Sequence, residues 1–293
     1  MTRQRSLHDT LNEIAFDPLL RTLAADLPFE RLGALAGYLA GADPYGEADF
    51  VRRALSRVGA TDGAGVERFF EHQLWCAWRE ARWQSGAMAA EPGRFRVAGR
   101  EWLDETAGAP TIIVAPMTVT LSDAVMCIRR LLRERPFTIY GEGIEAIDGG
   151  GLPEDRIAGG GLKAVRAIRA TLGRNGVLCT YPDFVYRGHP AQPASLFGAP
   201  RPISSGFLSL GAASGTMLLP CVLLREREGI VARLEEPIRI ELDGRGPEAR
   251  RAALPEIAQV VAELLESLIR RAPEQWLLLP TLTFESPQMA ARG

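Results

Sequence analysis

The chain has 293 residues, and 46% of them are hydrophobic, which suffices for one large or two small globular domains with a sizeable core. Its formal net charge of -2 lacks the basic excess that nucleic-acid-binding domains usually carry. We therefore expect no nucleic acid among its partners.

The cysteines and the apolar stretches indicate the compartment. The four cysteines form no CxxC pair and lie mostly in apolar runs, which is typical of free buried thiols. The longest uncharged run, residues 202–224, is interrupted by Gly, Ser and Pro, and the N-terminus has no signal-peptide pattern. We expect a cytoplasmic protein with no membrane-spanning segment and at most peripheral contact with the inner membrane. The composition, with Lys163 as the only lysine, indicates a GC-rich bacterial genome.

Residues 1–95 predict a helical N-terminal region. Amphipathic stretches alternate with turn signals such as ADPYG and ATDGAG. The stretches are FERLGALAGYLA, ADFVRRALSRVG and GVERFFEHQLWCAWREARW. His72 lies in the third stretch, where a structural histidine is expected.

Residues 96–293 predict an α/β domain. Helical segments alternate with the short apolar strands TIIVA, FTIY, GVLCT and TMLLPCVLL, which is typical of a largely parallel sheet. IVARL and IRIEL predict a closing antiparallel pair, and Pro255 predicts the start of a long final helix. The predicted fold is α/β, with a mixed, largely parallel central sheet flanked by helices. We expect the N-terminal helices to pack on it as one compact unit.

Four stretches of this region resemble the superfamily of bacterial lysophospholipid and lipid A acyltransferases. They are FRVAGREWLDE before the strand TIIVA, then LGRNGVLCTYPDF, then ASLFGAPRPISSGFLSLGAASGTMLLPCVLL, and finally RRAPEQWLLLP. The FG turn of the third stretch and the PEQW phrase of the fourth are the most specific parts. Typical members of the lipid A branch add a membrane-anchoring helix, for which this sequence shows no candidate.

The family's catalytic signature is a histidine, four residues and an acidic residue, directly after the first strand of the sheet. Here the corresponding segment is APMTVTLSDAV, which gives Thr118 and Asp123 at that spacing and no histidine. A threonine hydroxyl is not a general base near neutral pH, so the family mechanism cannot operate unchanged. The resemblance implies that Thr118 and Asp123 occupy catalytic positions. It also implies that they and Thr120 line the floor of a cleft near Asp183, with room for an apolar chain.

Other residues near strand ends complete the predicted site. His189 follows the third strand, whose carboxyl end faces the ligand crevice, and is the candidate to replace the missing base. Asp183 matches the family's strand-end aspartate, which the resemblance assigns to the acceptor site; a turn or helix cap is the alternative. The further candidates for substrate binding are Arg156 and Arg187, for a phosphate or carboxylate, and Ser204 and Ser205, at a helix start.

No cofactor and no metal are expected. GEGIEA after the strand FTIY fits GxGxxA, but the acidic residue expected about twenty residues later is absent, which argues against a dinucleotide site. No GxSxG elbow occurs, and Cys179 and Cys221 lie inside apolar strands, so a serine or cysteine hydrolase has little support.

The expected function is acyl transfer from a thioester, carried on an acyl carrier protein or coenzyme A, to an amine or hydroxyl of a small or lipid-like acceptor. Thioesters are activated, so orientation of the reactants can supply much of the rate without a strong base. We expect a role in a specialised, secondary-metabolite pathway. Two alternatives stay open: a non-catalytic partner that binds an acyl chain or carrier protein and, with less support, a thioesterase.

Overall fold

A mixed, largely parallel sheet with helices on both faces forms the centre of the molecule, which confirms the predicted fold class. The computed structural model describes residues 7, 10–11, 17–89, 94–140, 157–158, 161–185, 190–211, 215–227, 229–242 and 246–283. Its helices are α1 (Pro18–Asp26), α2 (Phe29–Ala42), α3 (Ala48–Arg57), α4 (Gly65–Gln84), α5 (Arg100–Glu105), α6 (Leu121–Leu131), α7 (Gly161–Leu172), α8 (Gly206–Gly211) and α9 (Pro247–Ile269), with short 3-10 turns at Ala87–Ala89, Pro273–Gln275 and Leu279–Thr283.

The strands run in the order β1-β9-β8-β2-β5-β3-β4 across the main sheet. They are β1 (Arg94–Ala98), β2 (Thr111–Val114), β3 (Phe137–Tyr140), β4 (Ile157–Ala158), β5 (Val177–Thr180), β8 (Met217–Glu226), β9 (Gly229–Leu234) and β10 (Ile238–Arg239). Neighbours from β8 to β4 pair in parallel, whereas β9 and β10 pair with β8 in antiparallel fashion. The carboxyl ends of β2 and β5 therefore meet at one edge of the sheet.

Both central strands are buried along their whole length, which explains their uninterrupted apolar sequences. Successive side chains of a strand point to opposite faces. Ile112 of β2 therefore packs in the core layer that contains α7 and α9, whereas Ile113 packs in the layer that contains α6. The two layers hold the strand ends, and the loops that follow them, in place.

The N-terminal helices pack directly on this sheet. Phe70 and Leu74 of α4 belong to the same buried cluster as Ile112 and Leu218, and Trp75 belongs to the layer on the other face. The last 3-10 turn of the N-terminal region ends at Ala89, and the first strand of the sheet begins at Arg94. Helix α4 thus brings side chains from an early part of the chain to the loop after β2.

Two details of the predicted elements are wrong. The segments IVARL and IRIEL do not pair with each other, because β9 and β10 each pair with a different part of β8. Pro237, which lies between them, also lacks the N–H that pairing of two strands requires. The last helix begins at Pro247 rather than Pro255. Pro255 is exposed, where water can satisfy the carbonyl freed by its missing N–H.

A two-stranded hairpin stands apart from the main sheet. It consists of β6 (Ala191–Leu196) and β7 (Ala199–Ser204), and its turn contains Phe197 and Gly198, both at positive φ. The hairpin leads from the end of β5 into α8. In the part of the chain that the structure describes, no helix has the length and apolar character to cross a membrane.

Candidate active site at the carboxyl ends of β2 and β5

Three segments noted in the sequence meet at Asp183: the end of β5 that carries it, the loop after β2 and the PEQW phrase. It lies three residues after the end of β5, and its Oδ2 accepts a hydrogen bond of 2.9 Å from the backbone N–H of Met117, in the loop after β2. The same Oδ2 accepts a bond of 2.8 Å from the indole Nε1 of Trp276, in the PEQW phrase. The stretch that contains the FG turn reaches the same place, because its Ser204 N–H donates to the Pro182 carbonyl.

The PEQW phrase lies outside the sheet and holds the loop after β2 and the end of β8 through hydrogen bonds. The Leu277 N–H donates to the Met117 carbonyl at 2.9 Å. Gln275 bonds both the N–H and the carbonyl of Arg225 at the end of β8, and Glu274 lies 3.7 Å from Arg68 of α4. Residues 273–277 therefore connect the sheet, the loop after β2 and the N-terminal helices.

The environment of Asp183 alters its acidity. Burial raises the pKa of its carboxyl from 3.8 to about 6, and hydrogen bonds from Met117, Trp276 and the backbone of Asp183 and Phe184 limit the rise. The residue as a whole is half-buried, but its Oδ1 is buried and forms no hydrogen bond of good geometry with the described residues. One carboxyl oxygen is thus held in place by two donors, while the other is buried.

Thr118 does not line a cleft. It is 1% exposed, and its hydroxyl donates a hydrogen bond of 2.6 Å to the Leu223 carbonyl of β8. The expectation that Thr118 forms a cleft floor is therefore wrong. The threonine hydroxyl satisfies a strand carbonyl at the position that the sequence resemblance equates with the family's histidine.

Asp123 is likewise a core residue. It is fully buried, and its two oxygens form a bidentate ion pair with Arg79 of α4. Trp83 donates a further bond of 2.9 Å from its indole N–H. Thr120 caps α6 by accepting from the Asp123 N–H. These contacts correct the prediction that Asp123 and Thr120 face a substrate, because both side chains already have structural partners.

His72 is a structural group that the sequence did not link to this loop. Its ring Nε2 lies 2.7 Å from the Thr118 carbonyl, an acceptor, so Nε2 carries the proton and donates it. The ring stacks on Trp75, and its Nδ1 is buried with no partner in the described part of the chain. Burial lowers the pKa of His72 to about 4, so the ring is neutral near neutral pH. Its expected structural role is consistent with these contacts.

The remaining predicted site residues divide into two groups. Ser204 and Ser205 are buried at the end of β7, directly before the six-residue helix α8. Their backbone N–H groups donate to the carbonyls of Pro182 and Pro190, so they position the segment after β5. The other three predictions, Arg156, Arg187 and His189, lie outside the described residues.

A surface cavity of about 480 Å³ lies at the opposite edge of the sheet. Pro110 and Met217, at the amino ends of β2 and β8, form part of its lining together with Arg239. In open α/β sheets, ligands bind outside the carboxyl ends of the strands, so this cavity is not the predicted site. Among the described residues, no group of three or more His, Cys, Asp and Glu side chains could hold a metal ion.

No protein-family model and no curated protein sequence matches this chain. The resemblance to the acyltransferase superfamily therefore rests on the quoted stretches.

Proposed function

We propose that the protein is an acyltransferase, which moves an acyl group from a carrier-protein or coenzyme A thioester to an amine or hydroxyl of a small or lipid-like acceptor. The observation that carries this proposal is the carboxyl of Asp183, with Oδ2 held by two donors and Oδ1 buried without a partner among the residues that the structure describes. It lies at the sheet edge where ligands bind in folds of this kind.

Asp183 has the properties of a proton acceptor for this reaction. A general base works best when its pKa is close to the working pH, and burial raises the pKa of Asp183 to about 6. The N–H groups of Met117 and Trp276 fix the orientation of its carboxylate. The proposed role goes beyond the acceptor-shaping role implied by the resemblance, and it removes the need for a base at Thr118.

The chemistry of the donor suits a weak base. A thioester is already activated, so positioning of the two reactants supplies much of the barrier reduction. A neutral amine is already nucleophilic, and a carboxylate such as Asp183 can take the proton that the nitrogen releases once it has attacked the carbonyl carbon. We therefore favour an amine acceptor and a specialised biosynthetic pathway. The four cysteines are all free and buried, which is compatible with a cytoplasmic protein.

A second candidate is a non-catalytic protein that binds an acyl chain or an acylated carrier protein. It is favoured by the state of the catalytic motif, because the Thr118 hydroxyl and the Asp123 carboxylate are both occupied by structural contacts. Such a protein would bind acylated carrier protein and would release no thiol from it.

The test is thiol release from acyl thioesters in the presence and absence of amines, followed with a thiol reagent. We expect release that depends on the amine, and a decrease in turnover of roughly 10²-fold for Asp183→Asn. Asp104→Asn, on the exposed helix α5, is the matched control and should keep full turnover. Amine-independent release would indicate a thioesterase, and binding without release would indicate the non-catalytic candidate.

A further inference from the structure

Helix α1 turns its leucines away from the core. Its buried residues are Ala24 and Ala25. The exposed ones include Leu19, Leu20 and Leu23, at 69%, 40% and 57%. By helical geometry, these three side chains lie within one sector of about 100°. A helix that only covered the core would bury its leucines, because they remove more apolar surface from water than alanines do. The apolar stripe of α1 therefore faces outward.

Contacts with α4 fix α1 in this orientation. The indole Nε1 of Trp78 donates a hydrogen bond of 2.9 Å to the Leu27 carbonyl, and Arg82 donates one of 3.0 Å to the Ala25 carbonyl. The Arg82 guanidinium also lies over the Trp78 ring, 5.1 Å from its centre. At the other end of α1, Asp17 caps the first turn. The leucines are thus exposed on a helix that is anchored at its C-terminal end.

The next helix, α2, adds to the exposed apolar surface. It packs on α4, as α1 does. We use the term N-terminal apolar face for the large exposed side chains of both helices and the turn between them, which are Leu19, Leu20, Leu23, Leu27, Leu35 and Tyr38. Their exposed fractions equal about three fully exposed residues, or roughly 600 Å². The largest apolar patch on a monomeric protein is typically about 300 to 600 Å². The N-terminal apolar face is thus large enough for an interface.

The charges on α1 and α2 indicate what covers this face. Residues 17–42 contain three acidic and two basic residues, namely Asp17, Asp26, Glu30, Arg21 and Arg31. Helices that bind anionic lipid surfaces carry an excess of Lys and Arg, which this segment lacks. A nearly neutral apolar face suits a partner of the same character. A second copy of this chain supplies such a partner.

We propose that the N-terminal apolar face binds the same face of a second copy, with the two α1 helices antiparallel about a twofold axis. Twofold dimers, in which one patch pairs with itself, are the commonest soluble oligomers. Two copies would together remove about 1,200 Å² from water, the lower limit for a specific and stable interface. Leu23 lies midway between Leu19 and Leu27, so the Leu23 side chains of both copies meet at the axis. This inference does not depend on the proposed acyl transfer.

The test is the mass of the protein in solution, measured by sedimentation equilibrium. We expect the wild type to form a dimer with a dissociation constant in the micromolar range or below. Leu23→Glu should raise that constant roughly 10²-fold or more, because two carboxylates would face each other in an apolar interface. Leu162→Glu is the matched control, since Leu162 is 75% exposed on α7, and it should leave the dimer unchanged.

A mixture of two variants tests the symmetry. Leu23→Lys should be monomeric by itself and should associate with Leu23→Glu, because opposite charges then meet at the axis. Both variants should keep the circular dichroism spectrum of the wild type, since Leu23 is exposed on each copy. A monomeric wild type, or a mixture that does not associate, overturns the proposal. If that monomer sediments with vesicles of phosphatidylethanolamine and phosphatidylglycerol and Leu23→Glu does not, a lipid surface covers the face instead.

Discussion

Replacing His72 by glutamine should change how the stability of the protein depends on pH. Burial lowers the pKa of His72 from 6.5 to about 4, so the unfolded chain binds this proton more readily than the folded protein does. The stability that the neutral ring contributes is complete above pH 6.5 and is lost as the pH falls through about 4. The gap between these two pKa values corresponds to about 3 kcal/mol of unfolding free energy.

Asp183 opposes this effect over nearly the same range. Burial raises its pKa from 3.8 to about 6, so the stability contributed by its protonated form is present below 3.8 and is lost as the pH rises through about 6. The contributions of the two groups nearly cancel between pH 4 and 6. In His72→Gln, only the Asp183 contribution remains, and unfolding free energy should decrease from pH 4 to 6 relative to the wild type. In Asp183→Asn, it should increase over the same range.

The measurement is urea denaturation followed by circular dichroism at a series of pH values. The relevant quantity is the difference in unfolding free energy between each variant and the wild type, because the contributions of the unchanged groups cancel in it. Glutamine at position 72 retains an N–H for the Thr118 carbonyl, which limits the loss of packing contacts. If the unfolding free energy of both variants depends on pH as that of the wild type does, His72 does not have a folded-state pKa near 4 and Asp183 does not have one near 6.

Two further predictions concern the motif loop. Arg79→Ala and Asp123→Ala should each lower the unfolding free energy by about 3 to 5 kcal/mol, because each leaves a buried charge unpaired, and the double variant should lose less than the sum. Additive losses in urea denaturation would contradict a coupled ion pair. Thr118→His should cost about 1 to 3 kcal/mol in the same assay and should not raise thiol release, because the site is already filled. A gain in turnover would show that an imidazole at this position reaches the substrate.

The sequence predicted those parts of the fold that local patterns determine. The buried strands TIIVA and GVLCT are short apolar runs with turns on either side, and both form as predicted. The β6–β7 hairpin was not predicted, because AQPASL and APRPIS contain prolines and few apolar residues. The start of the last helix was misplaced because Pro247 and Pro255 are both plausible first-turn prolines, and only tertiary packing decides between them.

Long-range contacts determine the candidate site, and local patterns do not contain them. Asp183 was recognised from its position after a strand, but its partner Trp276 is 93 residues away. Arg79, which neutralises Asp123, is 44 residues upstream in a helix that shows no separate signal. The spacing between Thr118 and Asp123 therefore indicated the position of the motif and could not reveal that its side chains were already occupied.

The order of the elements along the chain has a consequence for synthesis. Pro273–Gln275 and Trp276 follow every strand of the sheet, so all the strands leave the ribosome before Trp276 does. In a nascent chain that has already formed its sheet, the Met117 amide can hold the Asp183 carboxylate, but the Trp276 indole is not yet there. The second donor arrives only when Trp276 docks beside it. A growing chain with a finished sheet therefore still lacks part of the contacts around Asp183, and these contacts are complete only after that late segment has bound.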